Sequence, residues 1–262
     1  MQVHVRDEGP KDDPAPLVLV HGTGSSLHIW QAWADALKST RRVISLDRPG
    51  FGLTGPNPSG DYSTDYSTDF LRRLLDELGV QRAVLVGNSS GGLVAWHFAV
   101  RFPERVDRLV LIGSAGYPSA TPLSTGFRLA MLPVLGPLLL HFSSRPLVAK
   151  STQRLYGDPA KITPDVIDRY YELTLRAGNR NALGAALRQA RDTADPALIP
   201  KIAVPTLILW GTEDHVVSPK DAQRFHADIL GSTLRMLPGL GHIPQEEDPA
   251  ATFAALEQFL CD

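Results

Sequence analysis

Residues 83–98 read AVLVGNSSGGLVAWHF. An apolar run stops at a glycine, two serines follow, then two more glycines, and then a pattern that reads as a helix. Inside it, Gly87-Asn88-Ser89-Ser90-Gly91 fits G-x-S-x-G. Such a frame implies a sharp, strained turn from strand to helix. The glycines stand where a β-carbon would clash, and the central hydroxyl is lifted above the carboxyl end of the strand. The first N–H groups of the helix then point into the same space, where an oxyanion can be held. Only Ser89 sits at the middle of the frame, so Ser90 is expected to contribute its backbone N–H.

The chain on either side of this turn alternates. Residues 16–22 (PLVLVHG), 42–52 (RVISLDRPGFG), 82–87 (RAVLVG) and 107–113 (DRLVLIG) read as short buried strands ended by glycine or a Pro-Gly turn. Residues 29–38, 63–79 and 92–102 read as helices. In the second of these, Tyr66, Phe70, Leu74 and Leu78 recur every four residues beside Leu71 and Leu75, and Gly79 suits the stop. The doubled DYSTDYST at 61–68 reads as a lead-in to that helix, without a function of its own. Strand and helix in alternation predict an α/β fold, with a mostly parallel sheet covered by helices on both faces. From about Ser114 to Pro200 no clear strand is visible, and 204–211 and 232–239 restore the strand pattern. The expected organisation is a core of residues 1–113 and 201–262 with a helical cap inserted at 114–200. The leucine-rich run 127–142 in that insertion could line an apolar pocket or pack against the core.

Composition narrows the class. The 262 residues carry a formal net charge of -2, with 43% hydrophobic and 21% charged residues. No Lys/Arg cluster points to nucleic acid or an anionic membrane. Cys261 is the single cysteine, which excludes an intramolecular disulfide and a cysteine metal site. The polar start MQVHVRDEGPKDD lacks the apolar core of a signal peptide, and the longest apolar stretch, 129–142, is too short to span a bilayer. The expectation is a soluble cytoplasmic protein without a membrane span.

A serine nucleophile needs a base and a carboxylate to orient it. ILWGTEDHVV puts Asp214 just past the end of a strand, and MLPGLGHIPQEEDP puts His242 in the loop after the next one. Asp214 as a turn cap and His242 as a surface histidine are the plain alternatives. Their order after the serine favours a Ser-His-Asp set of Ser89, His242 and Asp214. Glu213 is a rival acid one position earlier, and His215 is expected to line or shield the site. Arg188 and Arg191, three residues apart on one helical face, either meet a substrate carboxylate or form a solvated face.

Through HGTGSS, DRPGFGLT, GNSSGG, GTEDHVV and GHIPQEEDP the chain resembles the α/β-hydrolase family, over nearly its whole length. The resemblance implies that HGTGSS follows the third strand and DRPGFGLT the fourth. It implies Ser89 as nucleophile, His242 as base and Asp214 as acid, with the backbone N–H groups of Thr23 and Ser90 as the oxyanion hole. His21, Gly22, Gly87 and Gly91 would support the loops, and Asp47 would tie down the turn at 47–52. The implied chemistry is acyl transfer without cofactor or metal, on a small apolar ester, a lactone or a related carbonyl compound. A serine at 89 argues against the branches that use an aspartate nucleophile. GNSSGG resembles the elbow of meta-cleavage C–C bond hydrolases, yet Ile243 stands where those enzymes usually carry tryptophan. A carboxylic-ester hydrolase is therefore preferred, with C–C hydrolase, cofactor-free perhydrolase and hydroxynitrile lyase as alternatives. A ligand receptor built on the same fold is the non-enzymatic alternative.

Overall fold

The computed structural model describes residues 1–118, 128, 131–132, 135–189 and 195–261. In chain order the described elements are β1 (Val5–Glu8), β2 (Leu17–Val20), α1 (Gln31–Leu37), β3 (Val43–Leu46), α2 (Thr64–Glu77), β4 (Ala83–Asn88), α3 (Ser90–Arg101) and β5 (Val106–Ile112). Then come α4 (Leu135–His141), α5 (Arg145–Gln153), α6 (Pro164–Leu175), α7 (Asn179–Gln189), β6 (Thr206–Gly211), α8 (Pro219–Asp228), β7 (Thr233–Leu237), α9 (Pro244–Glu247) and α10 (Pro249–Cys261).

One seven-stranded sheet runs in the order β1-β3-β2-β4-β5-β6-β7. All neighbours are parallel except β1, which pairs antiparallel with β3 at the edge. The strands LVLV, VISL, AVLVGN and TLILWG are buried at every position, as a sheet covered on both sides requires. Their residues alternate between two cores. Val18, Val20, Leu85, Leu109 and Trp210 pack with α2, α3 and α8 on one face. Leu17, Leu19, Val84, Val86 and Leu209 pack with Trp33 of α1 and Leu256 and Phe259 of α10 on the other.

Helix α2 is capped as its sequence asks. Ser63 Oγ accepts from Tyr66 N at 3.2 Å, and Gly79 ends the helix at φ +68°, a backbone that glycine adopts without penalty. The second copy of DYST, residues 65–68, thus lies wholly within the helix. Leu71 and Leu75 carry the buried stripe at 1% exposure, while Phe70, Leu74 and Leu78 pack half-buried beside them.

The registers Val20↔Leu46, Val20↔Gly87, Asn88↔Ile112 and Gly211↔Leu237 bring the carboxyl ends of the parallel strands to one edge. Loops after β2, β3, β4, β6 and β7 therefore leave together, the place where open α/β sheets hold ligands. HGTGSS follows the second strand and DRPGFGLT the third, one earlier than the resemblance implied, because one strand fewer precedes them.

Among the described residues between β5 and β6 there are helices and no strand. Helix α7 lies on the loop after β3: Asn179 Nδ2 donates to Gly52 O at 2.9 Å, and Gln189 Oε1 accepts from Tyr62 N at 2.6 Å. Of the leucine-rich run 127–142, residues 127, 129–130 and 133–134 lie outside the described residues. Its described members Leu132, Leu139 and Phe142 are exposed, so those three line no buried pocket. No helix among the described residues is long and apolar enough to cross a membrane.

Candidate active site

The turn after β4 is the strained one that the glycine frame predicts. Ser89 has φ 57° and ψ −124°, and among the described residues it is the single non-glycine with positive φ. Such a backbone persists only where its surroundings hold it. Here Ser89 N donates to Ile112 O at 3.0 Å, and Ser89 O accepts from Ala115 N at 3.0 Å and Leu93 N at 3.2 Å. The glycines are needed for close approach. A β-carbon on Gly87 would lie 2.4 Å from Gly91 O, and one on Gly91 would lie 2.2 Å from Val20 O. Gly91 is thus set by the end of β2, which seats α3 against the neighbouring strand. Gly22 presses on the nucleophile itself, since a β-carbon there would stand 2.9 Å from Ser89 Cβ.

Asp214 and His242 come together although 28 residues separate them. His242 Nδ1 lies 2.8 Å from Asp214 Oδ2. The other carboxylate oxygen accepts from Val216 N at 2.8 Å and Val217 N at 2.9 Å. Both side chains are buried. A carboxylate so oriented holds the imidazole proton on Nδ1 and leaves Nε2 as the acceptor. Asn88, beside the nucleophile, ties the two loops: its Nδ2 donates to His242 O at 2.9 Å and to Ile112 O at 3.0 Å. Among the described residues no hydrogen bond joins Ser89 Oγ to His242 Nε2. Glu213 and His215 are exposed. It is Asp214 and not Glu213 that meets the imidazole.

The loop after β2 is fixed by His21. Its Nε2 accepts from Arg48 N at 2.9 Å, so Nδ1 carries the proton and donates to Gly22 O at 2.7 Å. Burial pushes the imidazole down to about 4, which keeps it neutral. Asp47 does tie down its turn, accepting from Leu27 N at 2.7 Å, Leu53 N at 2.8 Å and His4 Nδ1 at 2.7 Å. Thr23 and Ser90 also meet. Thr23 Oγ1 lies 2.8 Å from Ser90 Oγ, which accepts from Arg48 Nη1 at 2.9 Å. The N–H of Thr23 has no protein partner among the described residues. That of Ser90 is one of the donors a helix leaves unpaired at its start.

Two functional contributors were not singled out from the sequence. Glu247 is buried and its carboxylate accepts from Gly241 N at 2.7 Å, Asp158 N at 2.8 Å and Gly157 N at 3.0 Å. It holds the loop that carries His242 against residues 157–158. Arg48 is the other, buried at 9% exposure beside the Pro-Gly turn that follows β3. Arg188 is not among the residues lining the cavity beside Ser90, and Arg191 lies outside the described residues.

Comparison with known proteins agrees with this architecture. The chain is 31% identical to the 2-hydroxy-6-oxo-2,4-heptadienoate hydrolase of Pseudomonas putida, over 94% of this chain and 88% of that one. It superposes on the meta-cleavage product hydrolase of Pseudomonas fluorescens with TM-score 0.84 and 26% identity, covering 98% and 93% of the two chains. It superposes on a thermophilic esterase of Thermogutta terrifontis with TM-score 0.81 and 27% identity, covering 98% and 92%. The profile of the α/β-hydrolase fold matches residues 15–249. On that match and on the sheet, elbow and loops described above, the chain belongs to the α/β-hydrolase family.

Proposed function

We propose that the protein is a serine hydrolase of carboxylic esters, with Ser89 as nucleophile, His242 as base and Asp214 as the acid that orients it. The observation that carries this reading is the strained Ser89 backbone, joined through Asn88 to the loop of a buried His242–Asp214 pair. His242 takes the Ser89 proton as Ser89 Oγ attacks the carbonyl, and the tetrahedral oxyanion meets the N–H groups of Thr23 and Ser90. Each such donor lowers the barrier by ~2.7–4 kcal/mol. His242 then protonates the leaving group, and water repeats the cycle on the acyl-enzyme. Residues 114–200 act as the cap. Contacts of α7 with the loop after β3, and of Leu155 O with His242 N at 2.7 Å, support that role.

Cleavage of a C–C bond next to a carbonyl is the second reading. The names of the relatives at 31% and 26% identity favour it. Ile243, 2% exposed and packed in the core, weighs on the ester side. The test is a series of p-nitrophenyl esters from short to long acyl chains beside a meta-cleavage dienoate, with a fluorophosphonate probe in parallel. Ester turnover and probe label on Ser89, both lost in Ser89→Ala and kept in Ser90→Ala, are the expected result. Label on another serine overturns the nucleophile. Turnover of the dienoate alone replaces the ester reading with the C–C reading.

A further inference from the structure

Arg48 is a buried cation at the positive end of a helix. Its side chain is nine-tenths buried in the loop after β3. Nη1 donates to Ser90 Oγ at 2.9 Å and to His21 O at 3.2 Å, both neutral acceptors. Among the described residues no carboxylate pairs with it. Asp47, its chain neighbour, spends its carboxylate on two backbone N–H groups and His4. Burial lowers the guanidinium to about 10, which leaves it charged at neutral pH. Ser90, which it binds, is the first residue of α3, and the first turn of that helix carries no acidic residue. The start of a helix is itself positive and favours anions over cations. Desolvating a charge costs free energy, and more so when it has no partner and stands against a dipole of the same sign.

The same arrangement suits a negative charge that exists only during reaction. Arg48 binds both walls of the proposed oxyanion hole. Through Ser90 Oγ it reaches the residue that supplies one N–H donor, and through His21 O it reaches the loop that carries Thr23, the other. Thr23 Oγ1 and Ser90 Oγ close the set at 2.8 Å. Arg48 N donates to His21 Nε2 at 2.9 Å, so the backbone of the arginine is fixed to that loop as well. We propose that Arg48 is a positioning residue whose buried charge stands behind the two N–H donors and stabilises the tetrahedral oxyanion more than the neutral substrate. This rests on the serine-hydrolase reading of Ser89, Thr23 and Ser90. An interaction that grows with the charge on the reacting carbonyl lowers the barrier without tightening the substrate, so it acts on kcat and leaves KM alone.

The experiment measures hydrolysis of p-nitrophenyl butyrate, and its inhibition by butylboronic acid, in the wild type, Arg48→Gln, Arg48→Met, Arg48→Lys and Ser90→Ala. The boron accepts the Ser89 oxygen while the proton passes to His242, and it becomes a tetrahedral anion like the intermediate. Glutamine keeps a donor for Ser90 Oγ without the charge, and methionine fills the volume with neither. Two neutral variants are used so that misfolding of one, read by thermal melt, leaves the other to decide. In both, kcat is expected to fall about thirtyfold with KM within about threefold, and boronate affinity to fall by a factor close to that in kcat. Arg48→Lys keeps the charge and is expected to recover most of kcat. Ser90→Ala removes the bond but keeps the charge and the backbone N–H, and its loss in kcat is expected to be at least about fivefold smaller than that of Arg48→Gln. Boronate affinity unmoved in the neutral variants overturns the proposal. So does a lysine variant as slow as the neutral ones, or a Ser90→Ala as slow as Arg48→Gln, since either makes Arg48 a strut and its charge incidental. The hydrolase reading fails separately. A wild type that neither cleaves the ester nor takes a fluorophosphonate on Ser89 overturns that reading and this proposal with it, whereas label on Ser89 with unchanged kcat in Arg48→Gln overturns this proposal alone.

Discussion

Two aspartates stand in loops at the same edge of the sheet, one after β3 and one after β6, and each meets a histidine. Asp47 lies 2.7 Å from His4 Nδ1 and Asp214 lies 2.8 Å from His242 Nδ1. Each also accepts two backbone N–H groups. The distribution of those bonds separates them. Asp214 gives one oxygen wholly to the turn and the other to the imidazole. Asp47 spreads its N–H groups over both oxygens, one from Leu27 and one from Leu53, and so joins two loops. His4 stands half-exposed near the start of the chain, whereas His242 is buried and its carbonyl is held by the residue next to Ser89. An aspartate–histidine contact therefore carries no chemistry of its own. What sets the second pair apart is its tie, through Asn88, to the strained backbone of Ser89.

Exchanging each carboxylate for its amide breaks this comparison most sharply. Asp214→Asn is expected to lower kcat by about 10⁴, the size of effect seen when a triad acid loses control of the tautomer, with little change in the urea midpoint. Asp47→Asn is expected to do the reverse. One of its three donors would face an NH₂ group, for a loss of about 3 kcal/mol in unfolding free energy, while kcat per folded molecule stays within a few-fold. Equal damage to activity from both would erase the distinction.

His21 sharpens the Asp47 side, its Nε2 lying 4.0 Å from Asp47 Oδ1. Its folded value is depressed from 6.5 to about 4. Between those values the unfolded chain binds more protons, so stability present above pH 6.5 is lost as pH falls toward 4. The slope is about 1.4 kcal/mol per pH unit at most. His21→Gln should flatten that part of the stability curve, measured by urea unfolding at successive pH values. An unchanged slope would place the acid sensitivity elsewhere.

The smallest effect falls on Thr23. Alanine keeps the backbone N–H and loses only the bond to Ser90 Oγ, so Thr23→Ala should cost about 1 kcal/mol, roughly five-fold in kcat/KM. A loss of a hundredfold in a folded variant would make the hydroxyl itself an oxyanion donor.

What the sequence made legible was local. The apolar run, the glycine frame and the helix after it sit within 16 residues, so β4, Ser89 and α3 could be placed from order alone. Asp214 and His242 could be placed because each follows a strand of visible pattern. β1 escaped notice because Val5–Glu8 is half-buried at each position and owes its strand to pairing with β3, 35 or more residues away. Arg48 looked like a charge beside a Pro-Gly turn, and its burial depends on Ser90, which folding alone brings near. Glu247 could not be told from Glu246 and Asp248, since what distinguishes it is three N–H groups, two of them from the distant segment 157–158.

That carboxylate has a bearing on redesign. Glu247 Oε2 accepts from Gly157 N and Gly241 N together, Oε1 accepts from Asp158 N, and Leu155 O accepts from His242 N. Residues 155–158 lie inside the insertion by sequence but belong to the histidine loop by bonding. Transplanting another relative's insertion at the strand boundaries would remove the support of the imidazole along with the intended specificity. A chimera that keeps 155–158 native, and exchanges only what lies on either side, leaves that support in place.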